Sequence, residues 1–324
     1  MMPGDSPDAR GPRSASAPRA EALVRPSTVR LPATAPAGIR SMLDFFLFRF
    51  PRIPEATWRQ RFDDGRVWTA EGPVGTEAPF QPLIDVHYRR EVEHEPPVRT
   101  DVTVVWSDDD LLVVDKPPFL PVTPGGRWVR GCLLHLLGDD QLVPLHRIDR
   151  LTSGLVVLSR RAMTRAQVSL LFQLGGPIAK VYTAVCEVRC PQPPANAVLE
   201  HHLERSPSEY WRQIVVPGQV VNASSEIELL DRVGDLALLA VRPRTGRKHQ
   251  IRVQLAAIGL PILDDPLYGT DPRHQPDDLS RRMWLDAHQL TVSGLAMPSG
   301  SPLTATWRSS RVPEEMLRRA AAGR

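Results

Sequence analysis

The stretch His146-Arg147-Ile148-Asp149-Arg150-Leu151-Thr152-Ser153-Gly154 runs without a break into Leu155-Val156-Val157-Leu158. This junction constrains the fold more than any other part of the chain. A short continuous apolar run reads as a strand covered on both faces, so the polar loop ahead of it must be pinned against an interior. The loop carries one carboxylate, Asp149, with Arg147 and Arg150 beside it. Thr152 and Ser153 are suited to bond loop backbone, and Gly154 permits a tight turn into the strand. On spacing alone, a structural Asp–Arg pair accounts for this loop as well as a reactive carboxylate does.

Further strand-like runs are Leu111–Val114, Val181–Val188 and Leu236–Val241. Helical periodicity covers 162–174 and 245–258. In the second helix, Thr245 is placed to cap the N-terminus and Gly259 to end it. Ile251, Leu255 and Ile258 then share one face. Strands and helices alternate irregularly, which points to an α+β domain over 99–312 and not to a doubly wound one. No internal repeat is visible. Residues 313–324 read as a C-terminal tail.

Residues 1–38 are rich in Pro, Ala, Ser, Gly and Arg, lack apolar periodicity, and read as a disordered tail. Five arginines against three acids suit a solvated spacer, or a nonspecific brush against a polyanion. Residues 39–98 read as a small domain. Ser41–Leu47 forms a short helix in this reading, and Pro54–Arg61 a second with Trp58 on its apolar face. The turn Asp64-Gly65 then leads into the strand Arg66–Thr69.

The 324-residue chain is long enough for one sizeable core and a small accessory domain. Its 42% hydrophobic and 24% charged residues are ordinary for a globular protein. No apolar run approaches the length of a membrane-spanning helix. The N-terminal arginines are not followed by the apolar segment of a secretory signal. A cytoplasmic location is expected. The net charge of +3 is compatible with a polyanionic partner without demanding one. The bias to arginine over lysine is also what a GC-rich genome would give.

Cys132, Cys186 and Cys190 are too few, and odd in number, for a disulfide framework. Cys132 and His135 form a C-x-x-H, so a zinc site with Cys186 and Cys190 has to be weighed. The C-x-x-x-C spacing of that second pair is not a usual zinc knuckle. Buried small side chains are the simpler reading, and no metal is expected.

The loop 146–154 resembles the H-R-L-D-x-x-T-S-G motif of the RluA-like RNA pseudouridine synthases, with Ile148 in place of Leu. Four further segments, and the strand Ala287–Leu290, resemble that family in order. Asp115-Lys116-Pro117-Pro118 is similar to its D-K-P segment, and Lys180–Ala184 to its K-x-Y-x-A strand. Arg244–Val253 is similar to its T-G-R-x-H-Q-I-R helix. Pro261–Gly269 is similar to its P-I-x-G-D-x-x-Y-G loop. The resemblance covers roughly residues 100–310. Four departures stand out. Phe119 and Leu120 lie near the expected Gly of K-P-x-G, Asp264 replaces Gly, Gln254 replaces His, and Asp286 replaces the His before Ala287.

The resemblance implies a central mixed, mainly antiparallel sheet with flanking helices. It also implies an isomerase that detaches uracil from ribose at N1, turns the base and rejoins it through C5. No cofactor and no external energy source is needed. Asp149 takes the role of nucleophile, Arg252 pairs with it, and Tyr182 stacks on the base or moves a proton. The target uridine must leave its stack. Arg147 would fill the vacated space, and His146 would brace the loop beside the RNA. Arg150, Lys116, Arg247, Lys248 and His249 complete the expected RNA contacts, with Arg242 and Arg244 close by. Ribosomal RNA or tRNA is the expected substrate, and a monomer the expected state. The small domain 39–98 resembles a degenerate αL RNA-binding motif, against the alternative of a packing appendage.

Two rival readings remain. One is a catalytically inactive RNA-binding or ribosome-assembly protein on the same fold. The other is an unrelated hydrolase with an Asp nucleophile, for which His249 and His288 are the nominees. Salt-sensitive affinity for structured RNA separates the hydrolase from both others.

Overall fold

A computed structural model describes residues 26–323 except 52, 91, 93, 175–176, 210, 272–273 and 298–301. The chain divides into two compact units, Met1–Arg90 and Glu91–Arg324. The division lies ahead of the boundary expected near 98, because residues 95–98 are bound to the second unit. Glu95 accepts the backbone N–H groups of Arg130 and Gly131 at 2.8 and 2.7 Å, and the Pro96 carbonyl accepts Trp128 Nε1 at 3.2 Å.

In the first unit, β1 (Ser27–Arg30), α1 (Met42–Arg49), α2 (Glu55–Asp63), β2 (Val67–Thr69), β3 (Gly72–Pro73) and β4 (Asp85–Tyr88) follow in order. The strands form a sheet of order β1-β4-β2-β3. Ser41 caps α1 through a reciprocal bond pair with Asp44, satisfying two of the orphan N–H groups at the helix start. Pro54 precedes α2, as its fixed φ favours. Phe46 is fully buried, with edge contacts to Trp58, Phe62 and Tyr88 at 4.7–5.6 Å. Such edge-to-face rings make a small core specific as well as apolar. The expected disordered tail falls mostly on residues 1–25, which lie outside the described residues. Its last part is ordered, since Ser27–Arg30 pairs antiparallel with Asp85–Tyr88.

The second unit opens with β5 (Thr103–Ser107), β6 (Leu111–Lys116), α3 (Leu133–Leu137), β7 (Val143–Pro144), β8 (Ser153–Ser159), α4 (Ala162–Leu174) and β9 (Ile178–Glu187). There follow β10 (Asn196–His201), β11 (Leu203–Arg205), β12 (Gln213–Val215), β13 (Ala223–Val233), β14 (Leu236–Pro243), α5 (Gln250–Ala257), β15 (Leu285–Leu295), β16 (Leu303–Arg308) and α6 (Pro313–Ala322). Ten strands form one sheet, with the path β10-β13-β14-β9-β15-β8-β6-β5. Every pairing is antiparallel except β15 with β8. The fold is α+β, as the pattern of elements predicts, on a mixed, mainly antiparallel sheet, as the resemblance implies.

All of β8 is buried. Leu155 and Val157 face α4 through Val168 and Phe172, while Val156 and Leu158 face α3 through Leu133. That is the two-sided cover the apolar run requires. On the other half of the sheet, Ile251 and Leu255 of α5 pack on Ala184 and Cys186 of β9 and on Leu239 and Val241 of β14.

Two expectations are corrected. The helix predicted over 245–258 begins only at Gln250, because His249 sits at φ +55°, in left-handed backbone that a helix cannot contain. Thr245 does not cap it. Its hydroxyl accepts the Ser224 N–H and donates to Gln250 Oε1 instead. The C-terminal tail is in fact α6, whose Met316, Leu317 and Ala320 pack on Val185, Leu236, Leu238 and Leu263. No helix among the described residues is long and apolar enough to cross a membrane. Cys132 and Cys186 are fully buried, and no group of three or more His, Cys, Asp or Glu among the described residues is arranged to hold a metal.

Candidate active site

Asp149 begins a turn in which its carbonyl accepts the Thr152 N–H at 3.1 Å. β8 then starts at Ser153. Gly154 pairs with Lys116 of β6 on one side and Ala287 of β15 on the other. At φ +109°, any Cβ there would lie 2.5 Å from the Ala287 carbonyl oxygen, so only glycine fits. The Asp149 carboxylate is therefore set by where three strands meet.

Its partner comes from α5. Arg252 is 2% exposed and donates Nη1 to Asp149 Oδ2 at 3.1 Å. Its other two donors grip Asp265, Nε to Oδ2 and Nη2 to Oδ1, both at 2.7 Å. Asp265 also accepts the N–H groups of Leu267 and Tyr268 at 2.9 and 3.2 Å. Burial works against the Arg252 charge. Asp265 and then Asp149 outweigh it and hold the guanidinium above its ordinary value. Burial pushes Asp265 the other way from its neighbours, and Arg252 with the two N–H groups keeps its carboxyl low. The forked guanidinium thus fixes Asp149 against an immobile anchor.

His249 places Nε2 3.9 Å from Asp149 Oδ2 and shares a 3.0 Å hydrogen bond with the Tyr268 hydroxyl through Nδ1. Burial lowers its pKa to about 4, against a smaller opposing pull from Asp149, so it is neutral at ordinary pH. The Tyr268 ring lies under both Arg252 and Arg212, and its hydroxyl accepts the Gln213 N–H at 2.8 Å. The hairpin β11–β12 is thereby tied to α5. Tyr182, on β9, packs between two core clusters. Burial first, then Asp149 and Asp286, push its phenol up, so it keeps its proton.

The residues expected to meet RNA divide into two sets. Arg147, Arg247 and Lys248 are exposed beside the Asp149 and α5 segments. Four others are buried or half-buried. Lys116 is fully buried, donates to the Pro117 and Arg150 carbonyls at 2.9 and 3.3 Å, and has its pKa lowered by burial to about 7. It cannot reach a phosphate. His146 stacks flat on Phe172 at 4.7 Å and accepts the Val157 N–H at 3.2 Å, with burial lowering its pKa to about 3. It braces the loop. Arg150 donates to Asp277 Oδ1 at 2.8 Å and lies over the Trp128 ring at 4.3 Å. His249 faces Asp149, as described.

The departures from the family pattern each have a local explanation. Phe119 and Asp264 stand at φ +64° and +56°, so both glycine positions keep their left-handed backbone with other residues. Asp264 is steadied there by Arg281 at 2.6 Å and Trp284 Nε1 at 3.2 Å. Gln254 is buried and satisfied by Ser225, Leu199 and Ala223. Asp286 is buried and accepts the Ser153 hydroxyl at 2.6 Å. In the sequence, Asp265 and Tyr268 stand only as members of the Pro261–Gly269 segment. Only the tertiary contacts with Arg252 and His249 reveal a role.

A half-open carboxylate locked to a buried guanidinium, with a protonated phenol and a neutral imidazole around it, is a site suited to covalent or acid–base work. The family model of RNA pseudouridylate synthases matches residues 110–257. An uncharacterized RNA pseudouridine synthase of Synechocystis is 32% identical over 236 residues, 70% of this chain and 79% of the relative. One from Zymomonas mobilis is 35% identical over 211 residues, 62% of this chain and 91% of the relative. The mitochondrial tRNA pseudouridine(32) synthase of Saccharomyces cerevisiae is 30% identical over 185 residues, 55% of this chain, which spans 39% of that protein. In fold, the chain is similar to human RNA pseudouridylate synthase domain containing 1, with a TM-score of 0.51 at 21% identity over 71% of this chain and 98% of the other. Fold and site thus define an RNA-modifying isomerase. The chain belongs to the RluA-like family of RNA pseudouridine synthases.

Proposed function

We propose that this synthase acts on uridines of ribosomal RNA or tRNA, with Asp149 as the nucleophile, Arg252 as its partner and Tyr182 at the base. The observation that carries this reading is the Arg252 fork, anchored on Asp265 and reaching Asp149 with its remaining donor. Such an arrangement fixes a carboxylate in position before substrate arrives, which is how a protein supplies catalysis without a cofactor. The side chain of Asp149 is 29% exposed, so a nucleoside swung out of its stack has access to it. A protonated Tyr182 is suited to stack on uracil and to exchange a proton at C5. Exposed Arg147, Arg247 and Lys248 take the RNA backbone and the space left by the flipped base. The unit ending at Arg90 is the accessory RNA contact. The enzyme works as a monomer, without a cofactor, in the cytoplasm.

A transcriptome-wide pseudouridine map in cells with and without the gene tests this reading. Complementation with wild type and with Asp149→Asn runs beside it. One or a few uridines should lose modification and regain it only with wild type. If no site changes, the catalytic reading fails and RNA binding without catalysis takes its place.

A further inference from the structure

Two buried carboxylates lie beside the active site and take no part in the chemistry above. Asp115 precedes Lys116 on β6 and is 3% exposed, while Asp286 precedes Ala287 on β15 and is fully buried. They therefore flank the two residues between which Gly154 is wedged. A buried charge must be matched by donors or a cation. Three consecutive residues from beyond β16 provide them. Ser309 donates its hydroxyl to Asp286 Oδ2 at 2.5 Å. Ser310 gives Asp115 Oδ2 its N–H at 2.8 Å and its hydroxyl at 2.7 Å. Arg311 Nη1 lies 2.5 Å from Asp115 Oδ1 and 3.5 Å from Asp286 Oδ1. That last oxygen is the one Ser153 holds, at the start of β8.

The geometry points to Arg311 as a positioning residue for the Asp149 loop, an inference that rests on Asp149 being the reacting group. One guanidinium neutralises a carboxylate on each strand flanking β8. Ser153 ties β8 to one of those carboxylates, and the turn Asp149–Thr152 hangs directly from Ser153. Without that cation, Asp115 and Asp286 lose their shared ion pair and keep only hydroxyl and N–H donors at close range, with Arg282 and Lys116 as further charges near Asp286. Asp286 then shifts, and Ser153 and the Asp149 turn shift with it. Arg311 touches no substrate atom in this account. Its side chain is 18% exposed, so water can enter in its absence and offset part of the lost pairing.

The test uses the full chain as wild type, Arg311→Met, Arg311→Lys and the double variant Arg311→Met/Asp286→Asn. Two readouts are needed: turnover on the RNA found by the pseudouridine map, and hydrogen exchange by mass spectrometry. Arg311→Met should lower kcat about tenfold, as a small misplacement of a reacting group does, with KM and RNA Kd unchanged. Exchange should quicken in the peptide spanning 146–154 and stay unchanged over β14. The double variant should recover part of the lost kcat, because the unmatched charge beside Ser153 is gone while Asp115 keeps both Ser310 donors. Arg311→Lys, which keeps the charge without the fork, should fall between. Wild-type kcat and exchange in Arg311→Met would overturn the inference. So would equal loosening of both peptides, or no recovery in the double variant. Exchange does not depend on turnover, so an error in the role of Asp149 is read separately, from an active Asp149→Asn.

Discussion

Arg252 spends two of its three donor positions on Asp265 and only the third on Asp149. The anchor is the stronger contact, and Asp149 takes what is left. Asp265→Ala should therefore harm both fold and chemistry. Removing one member of a buried pair costs about 3–5 kcal/mol, which would appear in denaturant unfolding. Arg252→Lys keeps the charge but loses the fork, and should fold with kcat reduced by roughly a hundredfold. A lysine variant with wild-type kcat would show that charge alone suffices.

Asp149→Asn is expected to keep its unfolding midpoint and its RNA Kd while turnover vanishes. Steady-state product measurement against the mapped RNA decides this. Wild-type-like turnover would remove Asp149 from the nucleophile's role.

Tyr182→Phe preserves the buried ring and should lose most activity with little change in stability. Tyr182→Ala should in addition lose on the order of 3 kcal/mol, as truncation of a packed aromatic does. Equal kcat in Tyr182→Phe and wild type would rule out an essential hydroxyl.

Lys116 links stability to pH. Its pKa is lowered from 10.5 to about 7 in the folded chain, chiefly by burial. Between those values the unfolded chain holds the extra proton, so stability should rise as pH increases from about 7 towards 10.5. Below about 7 both states are protonated and the slope disappears. The difference in unfolding free energy between wild type and Lys116→Met should follow that window. A difference flat across it would mean that burial does not lower the Lys116 pKa in the folded chain.

Arg247→Ala/Lys248→Ala should weaken RNA binding uniformly across sequences. The slope of log K against log salt should fall by about two phosphate contacts' worth. An unchanged slope would take both residues off the RNA.

The chain by itself determined the α+β class, the buried strand β8 and the polar loop that feeds it. Apolar runs and a glycine-bounded turn are local signals, and Leu155–Leu158 and Gly154 carry them within a few residues. The motif order likewise marked Asp149, Tyr182 and Arg252 before any contact was known. Tertiary structure decided the rest. Lys116 looks like an RNA-facing cation in sequence, yet it is fully buried and bonds backbone carbonyls, because burial depends on what packs over a residue and not on its own charge. His249 looks like part of a helix but breaks it, through left-handed backbone that periodicity does not encode. Asp265, Asp286 and Arg311 acquired their places only when β6, β8, β15 and α5 came together. A buried carboxylate must find its partner across whatever distance in sequence the fold closes, and only the packed chain shows which partner that is.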